Sequence, residues 1–197
     1  MSIVVRAEHP EDFRRVEELT REAFSYPERI ERGGIGCPYE HWMVHELRER
    51  DGVRELSLVA EVDGAVVGHI IGSAAVVEHE NGPLNVLNFG PLSVLPEYQR
   101  KGVGSALMRG FIERAKALGW GAILFFGRPE YYPRFGFVEA AEFGIGDGYG
   151  ENYPAFMAME LIPGYLAPAR GGKFRESDIY DDELNRDRVK DFDESFR

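Results

Sequence analysis

Residues 92–107 of this 197-residue chain have the composition of a site that could bind a phosphorylated cofactor. An apolar run passes through a turn that contains Gly102 and Gly104, next to Arg100 and Lys101, into an amphipathic stretch. The first residues of a helix have unpaired N–H groups and lie at the positive end of the helix dipole. Glycines let phosphate oxygens approach that backbone closely. The segment therefore predicts an anion site.

Two common nucleotide-binding motifs do not fit this turn. A P-loop requires Gly-Lys followed by Ser or Thr, and this order is absent from the segment. A dinucleotide fingerprint requires a third glycine three residues after Gly104, where Leu107 stands. The turn also follows a predicted meander rather than the first strand of a doubly wound sheet. Two glycines at this spacing can also form no more than a tight connection.

A meander of three antiparallel strands is predicted ahead of the turn. The β-rich runs are residues 56–62, 65–77 and 84–94. Asp63-Gly64 and Asn81-Gly82 separate them, and such dipeptides favour two-residue hairpin turns. A strand at residues 3–6 and helices at residues 13–24 and 39–50 are predicted before the meander, with a loop around Gly33, Gly34 and Gly36 between the helices.

The hydrophobic period changes from two to 3.6 after Gly102, which predicts a helix ended by Gly119. Its apolar stripe consists of Val103, Leu107, Phe111, Ala115 and Leu118. Residues 122–126 form a compact apolar strand, and a strand–helix–strand crossover predicts that it lies parallel to the strand before the helix. A short helix or turn at 129–135 and strands at 137–143 and 154–161 complete the predicted elements.

Composition limits the partners of the chain. Asp and Glu number 34 against 23 Lys and Arg, and the formal net charge is −11. Nucleic acid and anionic membranes need a basic surface, so neither is expected as a partner, whereas a cationic small molecule would be weakly attracted. The single cysteine predicts a reducing compartment. A charged N-terminus and the lack of an apolar run of roughly 20 residues complete the prediction of a cytoplasmic protein.

The length predicts one domain with an extension. Beyond Pro163 the composition shifts, and charges dominate from Glu176 onward. We therefore predict a domain over residues 1–162 and a charged C-terminal extension over residues 163–197, which is solvated from Glu176 onward. Such an extension could pack on a neighbour, which leaves a homodimer possible.

The sequence resembles the GNAT superfamily of acyl-CoA-dependent N-acetyltransferases at two motifs. The family signature is Gln or Arg, two variable residues, Gly, one variable residue and Gly or Ala, and residues 99–104 read Gln-Arg-Lys-Gly-Val-Gly. A second match is Tyr132, four residues ahead of Gly136-Phe137. The resemblance covers roughly residues 3–161, and residues 131–137 and 156–161 look like a bacterial branch of predicted N-acetyltransferases. It implies an α/β fold with a mixed, mostly antiparallel, twisted sheet flanked by helices.

The resemblance also implies acetyl-CoA as cosubstrate and a role for particular residues. The backbone of the turn would hold the CoA pyrophosphate: Arg100, Lys101, Gly102, Val103, Gly104 and Ser105. The main chain of Leu92, Ser93 and Val94 would pair with the pantetheine arm, and an N–H there could polarise the thioester carbonyl. Tyr132 would protonate the departing thiolate, since a phenol has a pKa of about 10. Tyr131 competes for this role, and either tyrosine could be a packed aromatic only.

The sequence does not identify the base that deprotonates the amine. Candidates are Glu61, Glu78, Glu80 and Glu130, although a glutamate at such a position is more often a surface charge than a base. Many family members place an Asn after the strand that follows the motif helix, and residues 127–130 here, Gly-Arg-Pro-Glu, contain none.

A metal ion is not expected, although Cys37, His41 and His45 are spaced four residues apart. Three residues over two helical turns diverge too widely to share one ion comfortably. In the related fold this helix borders the acceptor cleft, so His41, Trp42 and His45 could contact the substrate.

The predicted reaction is acetyl transfer from acetyl-CoA to a primary amine, of a small molecule or a peptide, by direct attack in a ternary complex. Transfer of a longer acyl group is one alternative. A non-catalytic acyl-CoA-binding or regulatory module is the other.

Overall fold

The computed structural model describes residues 2–26, 35 and 37–196. The strands are β1 (Ile3–Ala7), β2 (Gly52–Val62), β3 (Ala65–Glu78), β4 (Leu84–Val94), β5 (Ala122–Phe126), β6 (Val138–Glu139), β7 (Phe156–Glu160) and β8 (Lys173–Arg175). The helices are α1 (Phe13–Phe24), α2 (Glu40–Glu49), α3 (Val103–Ala117) and α4 (Arg186–Glu194). The loop predicted around Gly33, Gly34 and Gly36 lies outside the described residues. None of the helices in the described ranges is long and apolar enough to cross a membrane.

The strands form one mixed sheet in the order β1-β2-β3-β4-β5-β7-β6, with β8 beside β3. Strand β4 pairs parallel with β5, whereas β1–β2, β3–β8, β5–β7 and β6–β7 are antiparallel. The predicted fold class, an α/β protein with a mostly antiparallel sheet, is confirmed. The predicted crossover between two parallel strands, β4 and β5, is confirmed as well.

Local backbone geometry explains why the hairpin after β2 was predictable. Asp63 and Gly64 have φ values of 51° and 81°, as a two-residue type I′ turn requires. Of the second dipeptide only Gly82 has a positive φ, 104°, and its N–H donates to the carbonyl of His79. That connection is therefore a different turn, although β4 has the predicted bounds.

The chain divides into two compact units. The first consists of Met1–Ile71, Gly90–Phe111 and Asp178–Arg197, and the second of Gly72–Phe89 and Ile112–Ser177. In the first unit α3 packs closely on β1, because a Cβ at Gly110 would lie 3.1 Å from Val5 Cγ1. The second unit has its own apolar cluster, which contains Val77, Val86, Leu124 and Phe156.

Two sequence predictions need correction. Leu118 does not belong to the buried stripe of α3, because the helix ends at Ala117 and Leu118 is 46% exposed. The strand predicted at 137–143 is confined to Val138–Glu139, and a 3-10 turn, Ala140–Phe143, follows. Gly144 ends that turn in the left-handed region, with a φ of 69°.

Residues 163–197 contribute side chains to the cores of both units, and this includes the stretch from Glu176 onward that was predicted to be solvated. In the second unit, β8 pairs with β3, and Phe174, Leu166 and Ala169 belong to the buried cluster. In the first unit, Ile179 and Val189 are fully buried. The charged residues conceal this pattern in the sequence, because Phe174, Ile179 and Val189 are each separated from the next by several polar residues.

We expect Phe174→Ala to lower the free energy of unfolding by about 3–5 kcal/mol, as for other large buried aromatic side chains. The ring is 2% exposed and its centroid lies 5.4 Å from that of Phe156. Denaturant unfolding of the full chain measures the change. Leu184→Ala is the control, because Leu184 is 66% exposed; a cost for Phe174→Ala as small as that of the control would contradict the packing described above.

Candidate active site

The turn between β4 and α3 is held by its own hydrogen bonds. The Tyr98 N–H donates to the Leu95 carbonyl at 2.9 Å, and Gln99 Nε2 donates to the Val94 carbonyl at 3.0 Å. Arg100 and Gly102 then take left-handed conformations, with φ values of 57° and 92°. Gln99, the first residue of the signature, thus ties the turn back to the end of β4.

Helix α3 begins at Val103 with N–H groups that have no partner within the helix. The first helical bond of the segment runs from the Ala106 N–H to the Gly102 carbonyl, at 2.9 Å. The preceding N–H groups of Val103, Gly104 and Ser105 are those that a helix leaves unpaired. Arg100 and Lys101 are exposed beside them. Backbone donors, the helix dipole and two cations together suit an anionic group such as a pyrophosphate.

Strand β4 supports this turn from within the first unit. Ser93 is fully buried and its Oγ accepts a hydrogen bond of 3.0 Å from the Thr20 hydroxyl. The Leu95 N–H donates to the Val67 carbonyl at 3.0 Å. A Cβ at Gly68 would lie only 3.0 Å from side-chain atoms of Val103 and Leu107, so a glycine here lets α3 approach β3.

The parallel pairing of β4 with β5 joins one residue of each strand, Leu87 and Ile123. Strand β4 continues beyond that pair to Val94. Leu92, Ser93 and Val94 therefore follow the paired residue on the same strand. Main-chain groups of this kind can bind a ligand that itself carries amide groups, as an added strand does.

Tyr132 lies in an aromatic cluster of the second unit. Its ring meets those of Phe125, Phe89 and Phe137 edge-on, at centroid distances of 4.6, 5.7 and 6.0 Å. A Cβ at Gly127 would lie 2.5 Å from the Tyr132 ring, so this glycine is needed for the close approach. Burial raises the pKa of Tyr132, and the phenol therefore keeps its proton at neutral pH.

Tyr131 has a different environment from its neighbour. The guanidinium of Arg134 lies 4.6 Å from the centre of the Tyr131 ring, and Arg134 Nε donates to the Tyr131 carbonyl at 2.8 Å. The Phe89, Phe125 and Phe137 rings surround Tyr132, not Tyr131. The two tyrosines can therefore be tested separately.

Comparison with known proteins identifies the family. The sequence profile described as an acetyltransferase (GNAT) domain matches residues 54–139. The uncharacterized N-acetyltransferase YhbS of Escherichia coli strain K12 is 31% identical over 170 residues, which are 86% of this chain and 93% of that protein. The chain is a GNAT N-acetyltransferase. The predicted family and enzyme class are thereby confirmed.

Three further comparisons agree with the assignment to the GNAT family. The uncharacterized N-acetyltransferase YjhQ of the same strain is 38% identical over 128 residues, 64% of this chain and 68% of that protein. The crystal structure of E. coli YhbS in complex with CoA has the same fold, with a TM-score of 0.76 at 24% identity, covering 91% of this chain and 92% of that one. A Brucella melitensis GNAT acetyltransferase in complex with acetyl-CoA has a TM-score of 0.63 at 28% identity, covering 82% and 90%.

The four glutamates considered as a base in this GNAT acetyltransferase are all at least partly accessible. Glu61 pairs with Arg6 at 2.6 Å, and Glu78 with Arg175 at 2.9 Å. Glu80 and Glu130 are exposed. Two of the four candidates are therefore engaged by an arginine, and the other two lie at the surface.

The histidines of α2 contact different carboxylates. His41 Nε2 lies 3.2 Å from Asp193, and burial lowers the pKa of His41 to about 4. His45 Nδ1 lies 3.0 Å from Glu17, whose hydrogen bond raises the pKa of His45. Within the described ranges no three His, Cys, Asp or Glu side chains are grouped as a metal site requires. His41 and Trp42 are 0% and 2% exposed, so in this structure neither is accessible to a substrate, contrary to the expectation from their helix.

A serine and a histidine of the first unit lie within hydrogen-bonding distance of each other, but both are buried. Ser57 Oγ lies 3.0 Å from His69 Nε2 and donates to Glu8 at 2.6 Å. Ser57 and His69 are 4% and 0% exposed, and Arg48 also binds Glu8. A buried network of this kind stabilises the packing of α2 on the sheet, since an enclosed hydroxyl cannot reach an acyl donor.

A half-buried carboxyl group of the second unit was not predicted from the sequence. Glu176 follows β8 and accepts a hydrogen bond of 2.6 Å from Asn88 Nδ2. Burial raises the pKa of Glu176 to about 7, against the lowering effect of Asn88. The only signal in the sequence is Asn88 itself, a polar residue between Leu87 and Phe89 in an apolar strand.

Proposed function

We propose that this chain transfers the acetyl group of acetyl-CoA to a primary amine. The observation that carries the proposal is the turn ahead of α3, where left-handed Arg100 and Gly102 precede unpaired N–H groups. The pyrophosphate of CoA binds there, through the backbone of residues 100–105 and with the positive charges of Arg100 and Lys101 nearby. Two relatives with CoA or acetyl-CoA in their crystal structures support CoA as the ligand of this proposal.

The pantetheine arm pairs with the main chain of Leu92, Ser93 and Val94 in this proposal. The Ser93 side chain is occupied by Thr20, so the contribution of this residue is its backbone. An N–H of this segment polarises the thioester carbonyl and stabilises the oxyanion that forms upon attack.

The reaction proceeds by direct attack in a ternary complex. The amine lone pair attacks the thioester carbonyl carbon, the carbon–sulfur bond breaks, and the sulfur leaves as a thiolate. Tyr132 gives its phenolic proton to that thiolate. Burial raises the pKa of Tyr132, and it also raises the pKa of an enclosed thiol. Because both pKa values rise, the proton transfer from the phenol to the thiolate remains feasible.

The acceptor is an amine of a small molecule or a peptide. A protein with a formal net charge of −11 attracts cations, and primary amines are protonated at neutral pH. The single cysteine agrees with a reducing compartment such as the cytoplasm.

Thiol release from acetyl-CoA, measured with a broad panel of amines, tests this function. We expect turnover with at least one amine and an acetylated product detectable by mass spectrometry. Faster thiol release from a longer acyl-CoA than from acetyl-CoA would show that the acyl donor is a different one. Tight binding of acetyl-CoA by calorimetry, without turnover on any amine, would contradict an enzyme and favour a binding module.

A further inference from the structure

The Glu176 carboxylate is held against β4 by a single oriented amide. Asn88 is 2% exposed, and its Oδ1 accepts a hydrogen bond of 2.7 Å from the Phe89 N–H. That bond fixes which end of the Asn88 amide faces Glu176. The Nδ2 group therefore donates to Glu176, at 2.6 Å, and one carboxylate oxygen is left for another partner.

Glu176 and Tyr132 lie on opposite faces of this part of the sheet. Side chains alternate along β4, so Asn88 points away from the face that carries Phe89. Phe89 contacts the ring of Tyr132, whereas Asn88 contacts Glu176. In acyl transfer to an amine, the nitrogen loses protons and the sulfur gains one, and two different groups can carry out these transfers. Glu176 and Tyr132 are two such groups, one able to accept a proton and the other to donate one.

Partly exposed aromatic rings lie near the Glu176 carboxyl group. Phe126 stacks on Tyr153 at 5.8 Å with an interplanar angle of 15°, and the two are 38% and 43% exposed. Burial raises the pKa of Tyr153, and the negative charges of Asp147 and Glu176 raise it further. Aromatic faces beside a carboxylate suit a primary ammonium group.

The charged groups around Glu176 are engaged elsewhere. Arg175 binds Glu78 at 2.9 Å. Asp147 accepts hydrogen bonds from the N–H groups of Tyr149 and Glu151, at 2.8 and 2.9 Å. Within the described part of the chain no cation forms an ion pair with Glu176. Its charge is thus left uncompensated, which an incoming ammonium would correct.

We propose that Glu176 is the general base that deprotonates the acceptor ammonium, and that Asn88 is its positioning residue. This inference rests on the proposed acetyl transfer. One ammonium proton moves to a Glu176 oxygen and from there to solvent, and the freed lone pair attacks the thioester carbon. After the attack, the nitrogen loses its second proton to solvent. The Tyr132 phenolate, which has given its proton to the thiolate, takes a proton back from solvent.

The pH dependence of kcat/KM for the amine tests this assignment. In the native enzyme we expect log kcat/KM to rise with pH and to change slope at about pH 7, where Glu176 ionises. Glu176→Gln should lower kcat/KM on the order of 100-fold or more and remove that change of slope, with the Kd of acetyl-CoA unchanged. Asn88→Ala should move the change of slope to higher pH, because the Asn88 hydrogen bond lowers the pKa of Glu176.

Glu142→Gln is the matched control, since Glu142 is exposed in the same unit, and it should behave as the native enzyme. Native turnover together with an unchanged rate and pH profile in Glu176→Gln would overturn the assignment of the base alone. Weaker acetyl-CoA binding in Glu176→Gln would overturn it as well, in favour of a structural role. If the native enzyme turns over no amine, the proposed function is wrong and the base assignment with it.

Thermal unfolding gives a readout that does not depend on turnover. The pKa of Glu176 is raised from 4.5 to about 7, so the folded state binds its proton more tightly than the unfolded state. The folded state is therefore destabilised as pH rises through this window. The Tm of Glu176→Gln should exceed the native Tm by more at about pH 8 than at about pH 5. An equal difference at the two pH values would overturn the placement of a half-buried carboxylate without a cationic partner.

Discussion

Gly104→Glu is expected to abolish acetyl-CoA binding, with a Kd raised by at least about 100-fold, because it places a negative charge where the pyrophosphate binds. Gly104 is the second residue of α3. A carboxylate at a helix N-terminus interacts favourably with the dipole, and Glu has a higher helix propensity than Gly. The variant should therefore fold at least as well as the native protein. Calorimetry with acetyl-CoA and thermal unfolding measure both effects.

Ala117→Glu is the control for this substitution. Ala117 is exposed at the other end of α3, where an added negative charge opposes the helix dipole. Ala117→Glu changes the net charge by the same amount as Gly104→Glu, and it should leave the Kd of acetyl-CoA within about twofold of the native value. Native affinity in Gly104→Glu would remove the assignment of the pyrophosphate to this turn.

Tyr132→Phe is expected to lower turnover on the order of 100-fold or more while the affinity for acetyl-CoA barely changes. A Phe ring keeps the edge contacts to Phe125 and Phe137, and only the proton is lost. The interaction belongs to the transition state, so kcat and kcat/KM should fall together. Because burial raises the pKa of Tyr132, turnover should not decline through its ionisation below about pH 10.

Tyr131→Phe is the matched control and should have a mild effect, because a Phe ring keeps the contacts of Tyr131 with Arg134 and with the Tyr132 ring. Loss of activity in Tyr131→Phe with full activity in Tyr132→Phe would mean that the motif is shifted by one residue. Activity in both variants would mean that the thiolate leaves unassisted or takes its proton from water.

The sequence by itself determined the elements whose geometry is local. Asp63-Gly64 predicts its hairpin because few other residue pairs adopt positive φ at both positions. The change of period at Gly102 predicts α3, since 3.6-residue periodicity needs only the helix and one apolar neighbour. The signature that begins at Gln99 is equally local, which is why family, enzyme class and the anion-binding turn could be predicted together.

Tertiary structure alone decided the positions that depend on distant partners. Phe174 looks like part of a charged tail in the sequence, yet it is buried, because β3 offers an edge for β8 to pair with. Glu176 lies 88 residues from Asn88 in the chain, and no sequence spacing predicts their hydrogen bond. Its pKa is set by burial, and burial is a property of the whole neighbourhood. The residue type shows which chemical group is present. Solvent exposure and charge partners determine whether a carboxyl group can act as a base, and both depend on how the chain packs.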